Sequence, residues 1–177
     1  MTAVRESVKP IALVFADDGL VPNNPLPFLI YKSAIAVDNG HPEKTIEGVF
    51  GSHGWGQMWR NGIFDYLHYH TTVHEALGVA RGLALVQFGG DRGKELEIRA
   101  GDVAILPAGT GHQRLSASDD FVVVGAYPPG PEMQITRPTP DNHRKALKTI
   151  PHLAVPTTDP VYGANGLLVE LWRKRGK

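Results

Sequence analysis

Residues 62–82, with the sequence GIFDYLHYHTTVHEALGVARG, decide the fold of this chain. From residue 64 onward every second side chain would lie on the same face of a β-strand, and that face carries both His68 and His70. Two such residues are about 6.6 Å apart along the strand, so both imidazoles can bind one ion at bond lengths of about 2.1 Å. The His-x-His pair therefore predicts a metal site, although a polar barrel rim has the same pattern.

A second stretch, residues 101–112 with the sequence GDVAILPAGTGH, ends in a further histidine. Gly82 and Gly101 stand where strands must reverse and a positive φ is needed. The Pro107-Ala108-Gly109 segment predicts a rigid loop, and this loop would deliver His112 into the mouth of a barrel.

Taken together, the two stretches form a pair of spaced motifs. They read Gly62-x5-His68-x-His70-x4-Glu75-x6-Gly82 and Gly101-x5-Pro107-x-Gly109-x2-His112. This pair resembles the two motifs that define the cupin superfamily, and it departs only at Ser116, where the family often has asparagine. The resemblance implies one barrel that holds one metal ion inside it. The metal ligands that it implies are His68, His70, Glu75 and His112.

Other segments extend the similarity over nearly the whole chain. Residues 59–64, 74–78, 87–90 and 159–163 are similar to uncharacterised bacterial single-barrel cupins of the YjlB type. That similarity implies a metal-binding barrel but no known reaction.

The implied donor set contains three imidazoles and one carboxylate, and the chain has no cysteine. Such a set suits one divalent transition metal, namely Fe(II), Mn(II), Ni(II), Zn(II) or Cu(II), better than Ca²⁺ or Mg²⁺. An octahedral shell would leave two positions open for water, dioxygen or a bidentate substrate. His74 is an alternative fourth ligand, but strand alternation favours Glu75 and places His74 at the preceding turn.

The rest of the sequence is typical of an all-β domain. Its 20 glycines and 14 prolines divide 177 residues into short segments, and 42% hydrophobic residues are enough for one core. We predict a single cupin domain, a double-stranded β-helix or jelly-roll barrel with a few short helices, over residues 1–177. Its core barrel is expected at about 60–128, with N-terminal strands and a C-terminal arm packed on it.

Individual elements follow from periodicity and turn residues. The predicted strands are 11–15, 28–36, 64–70, 75–81, 83–88, 96–99, 102–106 and 121–127. One short helix is expected to begin at Pro42, and a second is expected to be capped by Asp141 and to end at Lys148.

Several aromatic residues lie near the first motif. Tyr66 is a candidate substrate-binding residue, because a phenol one strand step from the metal can hydrogen-bond a bound ligand. For Phe64 we favour plain core packing. Trp55, Trp59 and Arg60 predict either a lid over the mouth or an external loop packed on the barrel. The sequence names no catalytic residue.

Charge and hydropathy limit the partners. Because 18 basic residues balance 18 acidic ones, we expect no nucleic-acid partner. The apolar run 11–16 is too short for a signal-peptide core or a membrane span, so we expect a cytoplasmic protein without a membrane partner. An apolar strand at 11–15 would expose a sheet edge and predicts a homodimer, unless it folds back on its own barrel.

Two functions fit the sequence. The first is a divalent-metal-dependent enzyme that acts on a small organic molecule, and oxygenase and isomerase chemistry both fit it. The second is a non-catalytic binding or storage barrel in which the metal anchors a sugar or other small molecule. A titratable residue that faces the metal without binding it would favour the enzyme, and Tyr66 and His74 are the candidates.

Overall fold

Nine β-strands and three α-helices form the fold within residues 2–6, 8–37 and 40–175, which the computed structural model describes without the side chains of residues 174 and 175. The strands are β1 Ile11–Leu13, β2 Phe28–Tyr31, β3 Gly56–Asn61, β4 Glu75–Arg81, β5 Leu83–Phe88, β6 Lys94–Arg99, β7 Val103–Leu106, β8 His112–Ala117 and β9 Val122–Tyr127. The helices are α1 Pro42–Ser52, α2 Pro140–Thr149 and α3 Leu167–Arg175. No helix in this described part combines the length and hydropathy needed to cross a membrane.

The strands form two antiparallel sheets that share one core. The larger sheet has the order β1-β2-β7-β4-β9-β3, and the smaller has the order β6-β5-β8. Leu77 and Val123 from the larger sheet pack in the same cluster as Val86 and Phe88 from the smaller one. Two sheets closed around one core make a double-stranded β-helix. The predicted all-β barrel with a few short helices is therefore confirmed.

Strand β4 has a different neighbour on each face, as the period of two requires. Leu77 points into the core between the sheets, whereas Ala76 belongs to the cluster that includes α1. Gly78 lets that helix approach the sheet, because a Cβ there would lie 2.6 Å from Ile46 and 2.9 Å from Phe50. This packing confirms the predicted short helix.

The predicted strand over residues 64–70 is wrong. This segment makes isolated bridges, one between His68 and His112 and one between Tyr69 and Thr136, and no ladder. On one side of it is His112, the first residue of β8, which pairs with His68. On the other side is the segment 128–139, which connects β9 to α2 and pairs with Tyr69 through Thr136. We call residues 128–139 the strap. Alternating side chains along residues 64–70 thus resemble a strand without forming one.

Strands β3 and β8 were missed. Trp59 and Arg60, expected in a lid or an external loop, lie in β3 and pair with β9. Strand β8 begins at His112 and continues with the polar sequence QRLSA, which lacks the apolar alternation of a strand that is buried on one face.

The C-terminal region also differs from expectation. Thr139 caps α2, because its Oγ1 accepts a hydrogen bond of 3.2 Å from the backbone N–H of Asn142, so the predicted cap at Asp141 is wrong. Helix α3 was expected only as part of an arm. It packs on the larger sheet through the buried Trp172, whose Nε1 donates a hydrogen bond of 2.9 Å to the carbonyl of Pro27.

Strand β1 forms one edge of the larger sheet. It pairs with β2 on one side, as Ile11 with Ile30 and Leu13 with Phe28. The side chain of Ile11 remains 50% exposed. The N-terminal strand therefore folds onto its own barrel and still presents an apolar edge.

Candidate metal centre

The side chains of His68, His70, Glu75 and His112 converge at one end of the barrel. The first two come from the irregular segment before β4, Glu75 is the first residue of β4, and His112 is the first residue of β8. All four residues are buried. One nitrogen from each of the three histidines lies within 4.8 Å of the others, which is compatible with binding to a common ion.

Glu75 faces the imidazoles with both carboxylate oxygens. Its Oε2 lies 3.2 Å from Nε2 of His70, and its Oε1 lies 3.4 Å from Nε2 of His112. Among the described residues, Oε1 has no hydrogen-bond partner although it is buried. A buried carboxylate oxygen without a donor is unfavourable unless a cation neutralises it, so this atom fits a metal ligand.

Backbone carbonyls orient the three histidine rings. Nδ1 of His68 donates to the carbonyl of Tyr66 at 2.9 Å, and Nδ1 of His112 donates to that of Thr110 at 3.0 Å. Nδ1 of His70 donates to the carbonyl of Gln134, in the strap, at 2.8 Å. Because a carbonyl only accepts, the proton of each neutral ring is on Nδ1 and each Nε2 lone pair is available to a metal.

The charges within the cluster depend on burial and on Glu75. Burial, reinforced by the nearby His112, lowers the pKa of His68 to about 3. Burial also acts to lower the pKa of His70, but the charge and hydrogen bond of Glu75 raise it overall. Burial would raise the pKa of Glu75, yet the adjacent imidazoles hold it well below its ordinary value. The shifts thus favour the neutral form of His68 and the ionised form of Glu75.

Tyr127 and Trp59 hold the carboxylate from behind. The hydroxyl of Tyr127 donates a hydrogen bond of 2.8 Å to Oε2 of Glu75 and accepts one of 2.7 Å from Nε1 of Trp59. The indole lies over Gly125, its partner on β9, where a Cβ would be 2.1 Å from the ring. Sequence reasoning did not find Tyr127, because the pairing of β4 with β9 is not contained in either motif.

His74 is close to the cluster but has different partners. Its Nδ1 accepts a hydrogen bond of 2.9 Å from the N–H of Ala108, and its Nε2 donates one of 3.1 Å to the carbonyl of Ala154. Its ring also packs on Trp172 at 4.9 Å between centroids. Both nitrogens are engaged, so the contacts support Glu75 as the fourth ligand.

Tyr66 and Phe64 stack on each other at 4.8 Å, and both contact the ring of His68 edge-on at 5.5 Å. Arg137 covers the ring of Tyr66 at 4.2 Å. Tyr66 is not among the residues that line the cavity over the cluster, whereas Phe64 is. Phe64 is 43% exposed, so its expected core position is wrong, because residues 64–70 do not form a buried strand.

A cavity of about 350 Å³ opens over the four side chains. Besides them it is lined mainly by apolar residues. These are Trp59, Ile63, Phe64, Leu77, Met133 and Ile135. The last two belong to the strap, which backbone bonds between Tyr69 and Thr136 fasten to the segment 62–70. No signal in the sequence predicts this part of the wall, because the strap contains no periodic pattern.

No protein-family model matches the chain. It is 39% identical over 161 residues to "Uncharacterized protein YjlB" of Bacillus subtilis (strain 168), covering 90% of this chain and 94% of that protein. Two solved structures are more distantly similar. Acireductone dioxygenase from Bacillus anthracis with cadmium ion in the active centre is 21% identical, with a TM-score of 0.37 over 51% of this chain and 60% of that one. RmlC from Streptococcus suis in complex with dTDP-D-xylose is 18% identical, with a TM-score of 0.38 over 70% and 72%.

These two structures are too distant to support any statement about activity. The sequence match to YjlB is much stronger, because its 39% identity extends over nearly all of both chains. The chain therefore belongs to the YjlB family, and its own two sheets form a double-stranded β-helix.

Proposed function

We propose that this chain is a metal-binding cupin that acts as a divalent-metal-dependent enzyme on a small organic molecule. One observation carries this proposal, namely the buried, unpartnered Oε1 of Glu75 beside three imidazoles with available Nε2 lone pairs. Mixed nitrogen and carboxylate donors suit Fe(II), Mn(II), Ni(II), Zn(II) or Cu(II). Four protein ligands also leave coordination positions free for a small molecule.

The residues of the chain have distinct tasks in this proposal. His68, His70, Glu75 and His112 would hold the ion, which supplies Lewis acidity or a redox centre when it is bound. Carbonyls of the backbone keep the imidazoles in the binding tautomer, and Tyr127 keeps the carboxylate in place. The apolar walls exclude water from the ligand.

A second candidate is a non-catalytic barrel in which the metal anchors a small molecule. It is favoured by the composition of the cavity, where Arg60 is the one titratable lining residue among those described besides the four ligands. Neither Tyr66 nor His74 lines the cavity, so neither is placed as a general base. In the enzyme proposal the chemistry is therefore assigned to the metal ion when it is bound.

Elemental analysis of protein purified without added metal tests the metal site. We expect close to one divalent transition metal per chain, and we expect His70→Ala to lose most of it. His152→Ala is the matched control, because His152 is exposed on the turn after α2. Full metal occupancy in His70→Ala, or loss of metal in both variants, would reject the assignment.

To separate the two candidate functions, the metal-loaded protein is incubated with a small molecule that it has been found to bind, and the molecule is then analysed for conversion. Conversion of that molecule with metal present, and none in His70→Ala, indicates an enzyme. Stoichiometric retention without conversion indicates the binding barrel.

We also propose a cytoplasmic homodimer. Support for the dimer comes from β1, which lies at a sheet edge with Ile11 half exposed. Natural proteins usually cover or charge such an edge. Cytoplasmic location stays a prediction from the short N-terminal apolar run.

A further inference from the structure

The cavity over the metal centre is chemically divided into two ends. Its buried polar side chains are the four proposed ligands. Most of the remaining lining is apolar, with Leu77 buried and with Phe64 and Ile135 exposed at the surface. A ligand that fills this space therefore has to be polar at one end and apolar along the rest.

Two polar residues also line the walls, and both already have partners. Nε and Nη2 of Arg60 donate to the carboxylate of Glu47 at 2.6 and 2.9 Å. Oδ1 of Asn61 accepts a hydrogen bond of 2.8 Å from the N–H of Gly62. Within the part of the chain that the structure describes, Arg60 is the one cation of the lining, and it is already paired with a carboxylate.

Arg137 carries a further positive charge near this site, but it does not provide a cation on the cavity wall. The guanidinium of Arg137 lies 4.2 Å from the ring centroid of Tyr66, and neither residue is part of the cavity wall. A cation–π contact therefore holds the guanidinium of Arg137 against the face of the Tyr66 ring.

Two apolar side chains at the mouth of the cavity are more exposed to water than is favourable for an apolar surface. Phe64 is 43% exposed and Ile135 is 41% exposed, and both line the same opening. Neighbouring exposed apolar side chains around a concave site are typical of a surface that an apolar ligand covers.

We infer that the ligand of this site is a small neutral molecule with an apolar body and two neighbouring oxygen atoms at one end. This inference rests on the proposed function, because the two oxygens would occupy the free positions on the metal. The cavity of about 350 Å³ admits about twelve non-hydrogen atoms at about 30 Å³ for each water-sized group. We expect weak binding of sugar phosphates and other polyanions, because Arg60, the cation of the wall, is paired with Glu47.

Binding of three related probes to zinc-loaded protein, measured by calorimetry without oxygen, tests the inference. Catechol carries the two oxygens alone, 4-tert-butylcatechol adds an apolar body, and 3,4-dihydroxybenzoate adds a carboxylate. We expect 4-tert-butylcatechol to bind about 10- to 100-fold more tightly than catechol, because its methyl groups leave water for the apolar walls. The dihydroxybenzoate is expected to bind more weakly than catechol.

Variants at the cavity mouth supply the control. Ile135→Asp should remove at least about tenfold of the affinity advantage of 4-tert-butylcatechol over catechol, and the zinc content is measured on the same preparation. Ile135→Asn repeats the test without a charge if the aspartate variant is unstable. Leu147→Asp is the matched control, because Leu147 is 49% exposed on α2 and does not line the cavity.

The outcomes separate the inference from the proposed function. Zinc binding with equal affinity for catechol and 4-tert-butylcatechol, or with the dihydroxybenzoate as the tightest probe, would overturn the inference and leave the metal site standing. Failure of the protein to take up zinc or any other divalent transition metal would overturn both. Loss of probe selectivity in Ile135→Asp but not in Leu147→Asp would support the assignment.

Discussion

The hydroxyl of Tyr127 donates a hydrogen bond of 2.8 Å to Oε2 of Glu75, so the protein holds the carboxylate oxygen that lies near His70, while Oε1 lies 3.4 Å from Nε2 of His112. Burial and the charge of Glu75 raise the pKa of Tyr127, which keeps the phenol protonated as a donor. The same hydroxyl accepts a hydrogen bond from Trp59, which lines the cavity. Two hydrogen bonds thus connect the cavity wall with a proposed metal ligand.

Tyr127→Phe is expected to weaken zinc binding by about 10- to 100-fold, as loss of a residue that orients a ligand commonly does. The phenylalanine keeps the shape of the ring but leaves Oε2 without its donor. Competition with a chromophoric chelator measures the zinc affinity. Tyr162→Phe is the control, because the hydroxyl of Tyr162 donates to the carbonyl of Arg5 and not to Glu75. Equal zinc affinity in the wild-type protein and Tyr127→Phe would contradict a positioning role.

Gly125→Ala is expected to displace Trp59, because the new Cβ would lie 2.1 Å from its ring. Overpacking of this kind lowers the free energy of unfolding by about 1–3 kcal/mol. Chemical denaturation measures that loss, and tryptophan fluorescence reports the change around the indole. Gly56→Ala on the same strand as Trp59 serves for comparison, since its Cβ would meet nothing within 4 Å. Equal free energies of unfolding for Gly125→Ala and Gly56→Ala would show that the position of Trp59 does not require a glycine at residue 125.

Glu75→Gln is expected to lose more metal than His74→Ala. The first substitution removes the carboxylate charge, whereas the second removes a ring whose two nitrogens bind backbone groups. His74→Ala should instead lower the melting temperature, because the N–H of Ala108 loses its acceptor. Metal content and thermal unfolding, measured on the same preparations, distinguish the two roles. The opposite order of metal loss would move the fourth ligand to His74.

Metal retention is expected to fall as the pH decreases through about 6, because a protonated imidazole has no lone pair for the ion. His70 should take up a proton before His68, since Glu75 raises the pKa of His70 in spite of burial, whereas burial lowers the pKa of His68 to about 3. Dialysis over a series of pH values, followed by elemental analysis, gives the retention curve. Retention that is unchanged well below pH 6 would argue against coordination by three histidines.

Light scattering at low micromolar concentration is expected to give twice the 19.2 kDa mass of one chain. Ile11→Lys should shift the protein toward the monomer, because a charge on the exposed edge strand opposes pairing with a second copy. Leu147→Lys places the same charge on an apolar residue of similar exposure in α2 and should not change the mass. A mass of one chain that does not depend on concentration would exclude the dimer.

The sequence was sufficient for the parts of this protein that depend on local spacing. Strands β4 and β5 have the predicted bounds, because continuous or alternating apolar residues end at Arg81 and at Phe88. The residues His68, His70, Glu75 and His112 were selected by motif spacing, and the structure brings these same side chains together. Their role as metal ligands stays a prediction.

Other features depend on pairings between distant segments, which no local pattern contains. Tyr127 reaches Glu75 because β9 pairs with β4, and Trp59 reaches Tyr127 because β3 pairs with β9. The segment 64–70 has strand-like alternation, yet the residues on either side of it supply one bridge each instead of a ladder. Local propensity is a weak guide where such tertiary contacts decide the backbone.

The strap contributes both to the orientation of His70 and to the wall of the cavity, two properties that could otherwise vary separately. Gln134 stands between Met133 and Ile135, so the carbonyl that orients His70 belongs to the same few residues that form the cavity wall. Side chains at 133 and 135 can be exchanged without moving this carbonyl, whereas inserting or deleting a residue there would remove the acceptor of His70. In this chain, substitutions in the strap would therefore change the cavity wall alone, but a change in its length would also disturb the proposed metal centre.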